Sequence, residues 1–393
     1  MKITAVIAEY NPFHNGHAEH IKYIKEHTDC DKLLVLMSGN FTQRGENAVE
    51  NKFVRAEWAI KSGADMVVEL PSVFATANAE IFATGAVKLL TDLNSVNELC
   101  FGVESGSEDE YLSAAAALLD ESKKFKAALK EELDSGVSFA KAKFTAVKKV
   151  FGDEIKDELL SSPNNILALE YAKAKLKIDS PMALVPVTRF GETSHNDKKA
   201  SGKIGSALSI REALKTGDKK TVKKLVPDYV FKSLPASPYD FSQILMAALY
   251  TSSAEKLSEI TDCTEGLENR IKALIKDTSS YDAAVEKIVT KRYTYARVKR
   301  ITVNNLLNIS EKLVLSALKT PLYAKVLAIR SDAKDMISEI SVNSSIPLLT
   351  RKKDYAEVKK TAALCLETDD LSNDLYSLIT KEKFNPYQMI IAD

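Results

Sequence analysis

The first hundred residues alternate between short apolar runs and longer amphipathic stretches. Each run has about the length of a strand and is apolar at nearly every position, which is typical of a strand buried on both faces. The stretches between the runs carry apolar residues at helical spacing. This alternation predicts an α/β fold with a doubly wound, Rossmann-like parallel sheet that binds ligands at the carboxyl ends of its strands. The runs lie at 3–8, 33–37, 66–70 and 99–103, and the stretches at 15–28, 50–62 and 77–92.

The rest of the chain predicts mainly helices. Residues 108–176 are rich in Ala, Lys, Glu and Leu, which favours several helices, and 182–187 resembles a later strand of the sheet. The polar segment 191–206 predicts a loop over the ligand side. Helical patterns then continue to near residue 340, and the last fifty residues indicate no particular element. We therefore expect two domains, an α/β domain at 1–220 and a mostly α-helical domain at 221–393.

Composition excludes several classes of protein. No run of about 18 apolar residues is present, so we expect no membrane-spanning helix, and the N-terminus lacks the pattern of a signal peptide. The four cysteines are scattered singly, which favours a reducing cytoplasm over a disulfide framework or a zinc site. Lys and Arg total 54, and Asp and Glu also total 54, so a nucleic-acid surface would have to be a local patch.

The strongest chemical signal is AEYNPFHNGH at 8–17, which follows the first predicted strand and opens the first predicted helix. Pro12 restricts the loop, and Gly16 leaves room where the phosphates of a ligand would pass. The free N–H groups and the dipole of a helix start favour anions. His14 and His17 are three residues apart, so both imidazoles can face the same phosphate. The segment predicts a phosphate site in which these two histidines are catalytic.

Two other interpretations of these histidines exist. A single histidine on a helix is more often a satisfied surface or core group than a ligand. His14, His17 and His20 also recur at three-residue spacing, as metal ligands can, but no carboxylate or cysteine completes the set. We therefore expect phosphate binding rather than a metal site.

A second signal is GSALSIR at 205–211. The Ser206 hydroxyl precedes a predicted helix and Arg211 lies one turn into it, an arrangement that suits the β and γ phosphates of a nucleotide. Taken alone, the same residues fit a helix-capping serine and a surface arginine equally well. Together with the 8–17 loop, they favour a nucleotide.

Two further segments carry charged residues. The loop 43–46 (QRGE) follows the second strand on the ligand side, and it is either a surface turn or a contact for the transferred group or an RNA.

The segment 291–300 (KRYTYARVKR) has five basic residues, no acidic residue and two tyrosines. It is either a solvated helix face with one tyrosine packed inward or a nucleic-acid contact, because cations neutralise phosphates and rings stack on unpaired bases. Beside an ATP-using domain, RNA contact is favoured, and its candidate residues are Lys291, Arg292, Tyr293, Arg297, Lys299 and Arg300.

An HxGH loop after the first strand and a late SxxSIR segment resemble the HIGH-type nucleotidyltransferase superfamily. More specifically, the chain resembles the tRNA(Met) cytidine acetate ligase family. The resemblance runs in order from residue 3 to about 300. It is carried by AEYNPFHNGH, MSGNFTQRGE (37–46), GADMVVELP (63–71), FGVES (101–105), SPNNILALEY (162–171) and KRYTYARVKR.

This resemblance implies an ATP-binding, nucleotidyltransferase-like domain at 1–220 and a probable tRNA contact in 221–393. It implies that acetate attacks the α-phosphate of ATP, with Mg²⁺ carried by the nucleotide, and that the acetyl group passes to N4 of the wobble cytidine of elongator tRNA(Met). No protein partner is implied. The resemblance places these residues at the nucleotide: Ile7, Ala8, Glu9, Tyr10, Asn11, Phe13, Gly16, His20, Gly102, Asn165, Arg189, Ser206 and Arg211.

One residue departs from the family pattern. The family usually has threonine where this chain has Leu208, so a hydroxyl near the triphosphate is lost, and Ser209 is the candidate substitute.

Two rival functions share the 8–17 loop. One is an adenylyltransferase that moves AMP to a nucleotide or a phosphopantetheine-type substrate, and the other is a nucleotide-sensing tRNA-binding protein without catalysis.

Overall fold

The computed structural model describes residues 1–119, 122–136, 139–152, 155–188 and 204–393. Within these ranges, eight strands form one mixed sheet in the order β5-β4-β1-β2-β3-β6-β7, with β8 paired to β6. The strands are β1 Ile3–Ala8, β2 Lys32–Ser38, β3 Met66–Leu70, β4 Val96–Val103, β5 Ala183–Thr188, β6 Ala324–Arg330, β7 Leu348–Leu349 and β8 Ile390–Ala392.

The five strands β1 to β5 are parallel to one another. From β1 the chain moves outward through β2 and β3, then returns to the other side of β1 for β4 and β5. The loops that follow β1 and β4 therefore leave in opposite directions and open a crevice at the carboxyl ends of these strands. The predicted α/β, doubly wound fold class is confirmed, and the AEYNPFHNGH loop lies at this crevice.

Helices cover both faces of the sheet and make up most of the C-terminal half. Those before β5 are α1 Asn15–His27, α2 Lys52–Lys61, α3 Ser72–Ala75, α4 Ala79–Asp92, α5 Glu108–Leu118, α6 Lys123–Asp134, α7 Phe139–Phe151, α8 Glu158–Ser161 and α9 Pro163–Ile178. Those after β5 are α10 Ala207–Lys215, α11 Lys219–Leu225, α12 Asp228–Ser233, α13 Ser242–Thr251, α14 Ala254–Ser258, α15 Leu267–Ile275, α16 Tyr281–Ile288, α17 Tyr295–Leu306, α18 Glu311–Leu318, α19 Asp335–Asn343 and α20 Thr361–Thr380.

Alternate residues of the central strands enter two separate hydrophobic cores, as expected for strands buried on both faces. Leu34 and Leu36 of β2 join one core with Phe74, and Leu33 and Val35 join the other with Trp58. The first core also extends into the C-terminal half, through residues such as Phe241, Tyr323, Ile340 and Tyr376.

The C-terminal half also contributes to the sheet. Strand β6 lies in a range whose pattern predicted helix, and it pairs antiparallel with β3. Its sequence AKVLAIR is short and almost wholly apolar, so periodicity alone does not separate a buried strand from a buried helix. The partner strand β3 decides between them. The division into domains at residue 220 stays a prediction, but both the sheet and the first core contain residues from each side of it.

A buried charge network joins β6 to the N-terminal half. Lys52 Nζ donates to both carboxylate oxygens of Glu69, at 2.6 and 2.8 Å, and Lys325 Nζ lies 3.6 Å from the same carboxylate. All three side chains are almost completely buried. Burial alone would lower the pKa of Lys325. Glu69 and nearby carboxylates raise this pKa by more than burial lowers it, so the net shift is upward and the ammonium stays charged.

Arg55 in α2 is fully buried and binds the loops that leave β1 and β2. Its Nη1 donates to the carbonyls of Glu9 (2.6 Å) and Ser38 (3.2 Å), its Nη2 to that of Gly39, and its Nε to that of Glu50 (2.9 Å). One guanidinium thus binds four carbonyls, three at the carboxyl ends of two neighbouring strands and one just before α2. A planar fork of donors can do this, and a single ammonium cannot.

We expect Arg55→Lys to lower the free energy of unfolding by about 2 to 5 kcal/mol, because it leaves several buried carbonyls without a donor. Chemical denaturation followed by circular dichroism measures this change. Arg351→Lys, at an arginine whose side chain is 67% exposed, is the control and should change stability by less than about 0.5 kcal/mol. Equal stability of the two variants would contradict the role of Arg55.

Candidate active site

A cavity of about 340 Å³ opens at the carboxyl ends of β1 and β4, where the sheet topology predicts a ligand. Most of the residues predicted to hold a nucleotide line it, together with both predicted catalytic histidines. Those in its wall are Ile7, Ala8, Glu9, Tyr10, Asn11, His14, Gly16, His17, His20, Gly102, Ser206 and Arg211.

The two histidines of the HNGH loop lie face to face. Their ring centroids are 3.6 Å apart and their planes differ by 20°. The backbone N–H of His14 donates to His17 Nδ1 at 3.2 Å, so Nδ1 carries a lone pair and the ring proton of neutral His17 is on Nε2. Because His17 lines the cavity, this tautomer offers an N–H donor to a bound anion.

Gly16 lies in the first turn of α1, directly below these rings. A Cβ atom on Gly16 would lie 3.1 Å from Cε1 and 3.2 Å from Nδ1 of His14, closer than such contacts normally are. A side chain at this position would require the His14 imidazole to shift by a few tenths of an ångström, so glycine allows His14 to pack closely over the helix start. The helix begins at Asn15, so its first backbone N–H groups lie beside the cavity and favour an anion there.

Glu9 places a carboxylate in the cavity wall just after β1. Its Oε1 accepts a hydrogen bond from the Gln43 backbone N–H at 2.8 Å. Burial raises the pKa of Glu9, and the Gln43 N–H and the guanidinium groups of Arg211 and Arg44 oppose part of this effect. Tyr10, next in the chain, adopts a φ of 47° and packs its ring against Phe13 and His17.

Both interpretations of the GSALSIR segment hold in part. Ser206 is the N-cap of α10, and its Oγ accepts from the Ser209 N–H at 3.1 Å, as a capping serine does. Arg211, however, is not a surface arginine: its side chain is 15% exposed, and Nη1 donates to the Asn11 carbonyl at 2.8 Å. Ser209 is not a substitute hydroxyl for the cavity, because it is buried and donates to the Ser206 carbonyl.

Two of the predicted nucleotide residues, Phe13 and Asn165, do not lie in the cavity wall. Phe13 is fully buried in the hydrophobic core under the loop. Asn165 is 1% exposed, and its amide binds the backbone N–H of Glu104, the Ser105 hydroxyl and the Glu158 carbonyl. It therefore positions the segment after β4 instead of facing the cavity. Arg189 lies outside the described residues.

The loop after β2, whose role the sequence left open, forms part of the wall through Thr42, Gln43, Arg44 and Glu46. Gly45 has a φ of 70°, and a Cβ there would lie 2.3 Å from the backbone nitrogen of Arg300, so the turn packs tightly on α17. The sequence gives no signal for the apolar wall opposite, because Phe82, Phe101, Ile166, Leu167 and Tyr171 match ordinary core residues.

Glu46 connects the cavity to the basic segment 291–300. It lies 3.4 Å from Arg211 Nη2 and 2.9 Å from Lys299 Nζ. Burial alone raises the pKa of Glu46, but the two cations reverse this and lower it overall, so the carboxylate stays ionised.

The other predicted nucleic-acid residues divide into two groups. Arg297 and Arg300 are largely buried: Arg297 binds the Asp262 carbonyl and the Glu265 carboxylate, and Arg300 lies 3.3 Å from the Asp262 carboxylate. Lys291 and Arg292 are exposed at the segment's start, although Arg292 also pairs with Glu265 at 3.1 Å.

The two tyrosines of this segment have opposite environments. Tyr293, the predicted contact, is 8% exposed and donates its hydroxyl proton to the Glu265 carbonyl, so its ring is not available to a base. Tyr295 is 42% exposed, with Lys299 Nζ 4.9 Å from its ring centroid. Two residues of sequence separation place the rings on different sides of the start of α17, and only the packing shows which ring faces solvent.

Among the described residues, no group of three or more His, Cys, Asp or Glu is arranged to hold a metal ion. The same residues include no helix with the length and apolar character needed to cross a bilayer.

The doubly wound sheet and the HxGH loop at its crevice define the class of HIGH-type nucleotidyl transferases, and the family model "HIGH Nucleotidyl Transferase" matches residues 1–389. The chain is 38% identical over 390 residues to the tRNA(Met) cytidine acetate ligase of Thermoanaerobacter sp. (strain X514), covering 97% of this chain and 96% of the relative. It is 36% identical to the protein of that name from Acetivibrio thermocellus, with the same coverage. The chain therefore belongs to the tRNA(Met) cytidine acetate ligase family, which confirms the resemblance.

Two solved structures of Thermotoga maritima TmcAL are similar over the full length of both chains. The structure bound with alpha-thio ATP has a TM-score of 0.89 and 28% identity. The apo structure has a TM-score of 0.92 and 29% identity. The whole arrangement of sheet and helices is therefore shared, and not only the N-terminal motif.

We expect His17→Ala to slow the release of pyrophosphate from ATP by about ten- to a hundredfold, because one charge-assisted hydrogen bond is worth about 1.5–3 kcal/mol. Pyrophosphate release at saturating ATP measures this. His27→Ala removes another histidine of α1 that is absent from the cavity wall, and it is the control. If the His17 variant were as fast as the His27 variant, His17 would have no part in the reaction.

Proposed function

We propose that this chain is an ATP-dependent ligase that activates acetate as acetyl-adenylate and transfers the acetyl group to N4 of the wobble cytidine of elongator tRNA(Met). The names of its relatives over nearly the whole chain support this reaction. The observation that carries it is the cavity at the end of β1, where a helix start and a pair of stacked histidines form an anion site. A close structural neighbour binds an ATP analogue, which supports ATP as the substrate.

In the first step, a carboxylate oxygen of acetate attacks the α-phosphorus of ATP, and the bond to the bridging oxygen breaks to release pyrophosphate. Negative charge moves onto the leaving pyrophosphate, and this chain contributes donors rather than a nucleophile. His17 Nε2, the first N–H groups of α1 and the Arg211 guanidinium are the groups that would stabilise that charge. Mg²⁺ would enter with the triphosphate, since the described residues form no metal cluster of their own.

In the second step, the N4 amine attacks the acetyl carbonyl, AMP leaves, and the nitrogen loses one proton. The amine must reach the cavity from solvent as part of an RNA strand. The loop 42–46 is the part of the wall that packs on α17, so RNA bound at the start of α17 would lie beside it. The chain of contacts from Tyr295 through Lys299 to Glu46 supports this direction of entry.

These substrates would place the enzyme in the cytoplasm, where ATP and tRNA are present. The cysteines in the described residues are all free thiols, consistent with a reducing compartment.

The direct test of the proposal is mass spectrometry of tRNA after incubation with the enzyme, ATP and acetate. We expect one acetyl group on one cytidine of elongator tRNA(Met), and no gain when either acetate or ATP is omitted. Transfer of AMP to the RNA or to another nucleotide would instead identify an adenylyltransferase. An unchanged tRNA, with no acetate-dependent release of AMP, would contradict ligase activity altogether.

We expect Tyr295→Ala to raise the KM for tRNA by about five- to a hundredfold, because base stacking on an aromatic ring is worth about 1–3 kcal/mol. Tyr295→Phe keeps the ring and should restore the KM. Tyr250→Ala removes a similarly exposed tyrosine, 46% exposed, and is the control. A KM for Tyr295→Ala equal to that of the control would exclude stacking on this ring.

A further inference from the structure

Helices α10 and α11 form a hairpin whose two ends are attached to the cavity loop. At the start of the hairpin, Arg211 donates to the Asn11 carbonyl at 2.8 Å. At its end, the side chain of Asn15 donates to the Lys224 carbonyl at 3.0 Å. Asn15 is the residue between His14 and Gly16, so the hairpin lies directly beside the mouth of the anion site.

This hairpin is strongly basic. Six basic and two acidic residues lie between 207 and 226, in a chain whose total charge is zero. Five of the basic residues are exposed lysines, and we call them the lysine ridge: Lys215, Lys219, Lys220, Lys223 and Lys224.

The ridge differs from the lysine-rich surface of α7. On α7, Lys148 pairs with Asp157 at 2.5 Å, and Lys149 pairs with both Glu131 and Glu132. Within the described residues, the ridge has one ion pair, between Lys215 and Glu212 at 3.6 Å. An exposed cluster with more cations than carboxylates favours a polyanionic partner.

The hairpin that carries the ridge is also connected to the exposed Tyr295 of α17. Burial and the carboxylates of Asp282, Glu286 and Glu46 raise the pKa of Tyr295, and the positive charge of Lys215 opposes part of this effect. Arg211 of α10 and Lys299 of α17 bind the same Glu46 carboxylate, and Lys299 Nζ lies 4.9 Å from the centroid of the Tyr295 ring. A cation beside an accessible aromatic ring is typical of a surface that binds single-stranded nucleic acid.

We propose that the lysine ridge of α10 and α11 binds the phosphate backbone of the substrate RNA next to its reacting nucleotide and directs that nucleotide into the cavity. The inference rests on the proposed function for the existence of an RNA substrate. It adds the surface that holds this substrate, which the sequence had placed in 291–300 alone.

RNA fits this surface better than a membrane does. Within α10 and α11, as far as the structure describes them, no large apolar side chain is exposed. A helix that binds in a bilayer interface needs an apolar face beside its cations, and this hairpin uses its apolar residues Ile210, Leu214, Val222 and Leu225 in the core.

The test replaces Lys219, Lys220 and Lys223 together by glutamine in the full chain. Binding of labelled elongator tRNA(Met) transcript is measured between about 50 and 200 mM salt. We expect at least tenfold weaker binding at about 100 mM, and a slope of log K against log[salt] flattened by about two to three, because each lost phosphate contact removes close to one counterion from the slope.

The control is the triple variant Lys123→Gln, Lys124→Gln and Lys130→Gln on α6, which removes the same charge from a helix that does not line the cavity. It should bind tRNA like the unaltered chain. Acetate-dependent pyrophosphate exchange, which needs no RNA, is measured on the same preparations so that a damaged ATP site is separated from lost RNA binding.

Unchanged affinity and salt slope in the ridge variant would overturn the inference. So would equal losses in the ridge and α6 variants, since the effect would then be one of total charge. A ridge variant that loses binding to vesicles containing phosphatidylserine but keeps tRNA binding would assign the ridge to a membrane instead. Absence of acetate-dependent exchange in the unaltered chain would contradict the proposed ligase and not the ridge.

Discussion

The hydrogen bonds of the buried Arg55 guanidinium are the constraint on which the active site depends. Strands β1 and β2 end side by side, and the loops that leave them carry carbonyls that water cannot reach. Arg55 donates to the carbonyls of Glu9, Ser38 and Gly39, so it fixes both loop starts relative to each other. The positions of the HNGH loop on one side and of the Gln43 N–H on the other follow from this attachment.

A second electrostatic connection links the anion site to the surface where we propose that RNA binds. Glu46 is held between Arg211, which lies in the cavity, and Lys299, which lies under the exposed ring of Tyr295. Three segments more than 80 residues apart in sequence therefore meet at one carboxylate. The close packing of Gly45 on the backbone of Arg300 makes this contact rigid.

Several features were predictable because their signal is local. The apolar runs predicted the five parallel strands, and the HxGH loop predicted the position of the cavity, since a strand, a tight loop and a helix start lie within 15 consecutive residues. Strand β6 was not predictable, because its pairing partner lies over 250 residues away. The inward position of Asn165 and the apolar cavity wall that contains Phe82 and Tyr171 were not predictable either, since no local sequence pattern distinguishes a residue of a cavity wall from a residue of the core.

The sequence by itself determined the fold class, the position of the loop that lines the cavity, and the family. Each depends on short-range spacing or on the order of motifs along the chain, and both can be recognised from the sequence alone. Only the tertiary structure decided that Tyr295 and not Tyr293 faces solvent, and that Arg297 and Arg300 mainly support their own segment. It also placed the hairpin of α10 and α11, with its exposed lysines, beside the loop that follows β1. The physical reason is that burial and ion pairing depend on neighbours from distant parts of the chain, which spacing along the sequence does not encode.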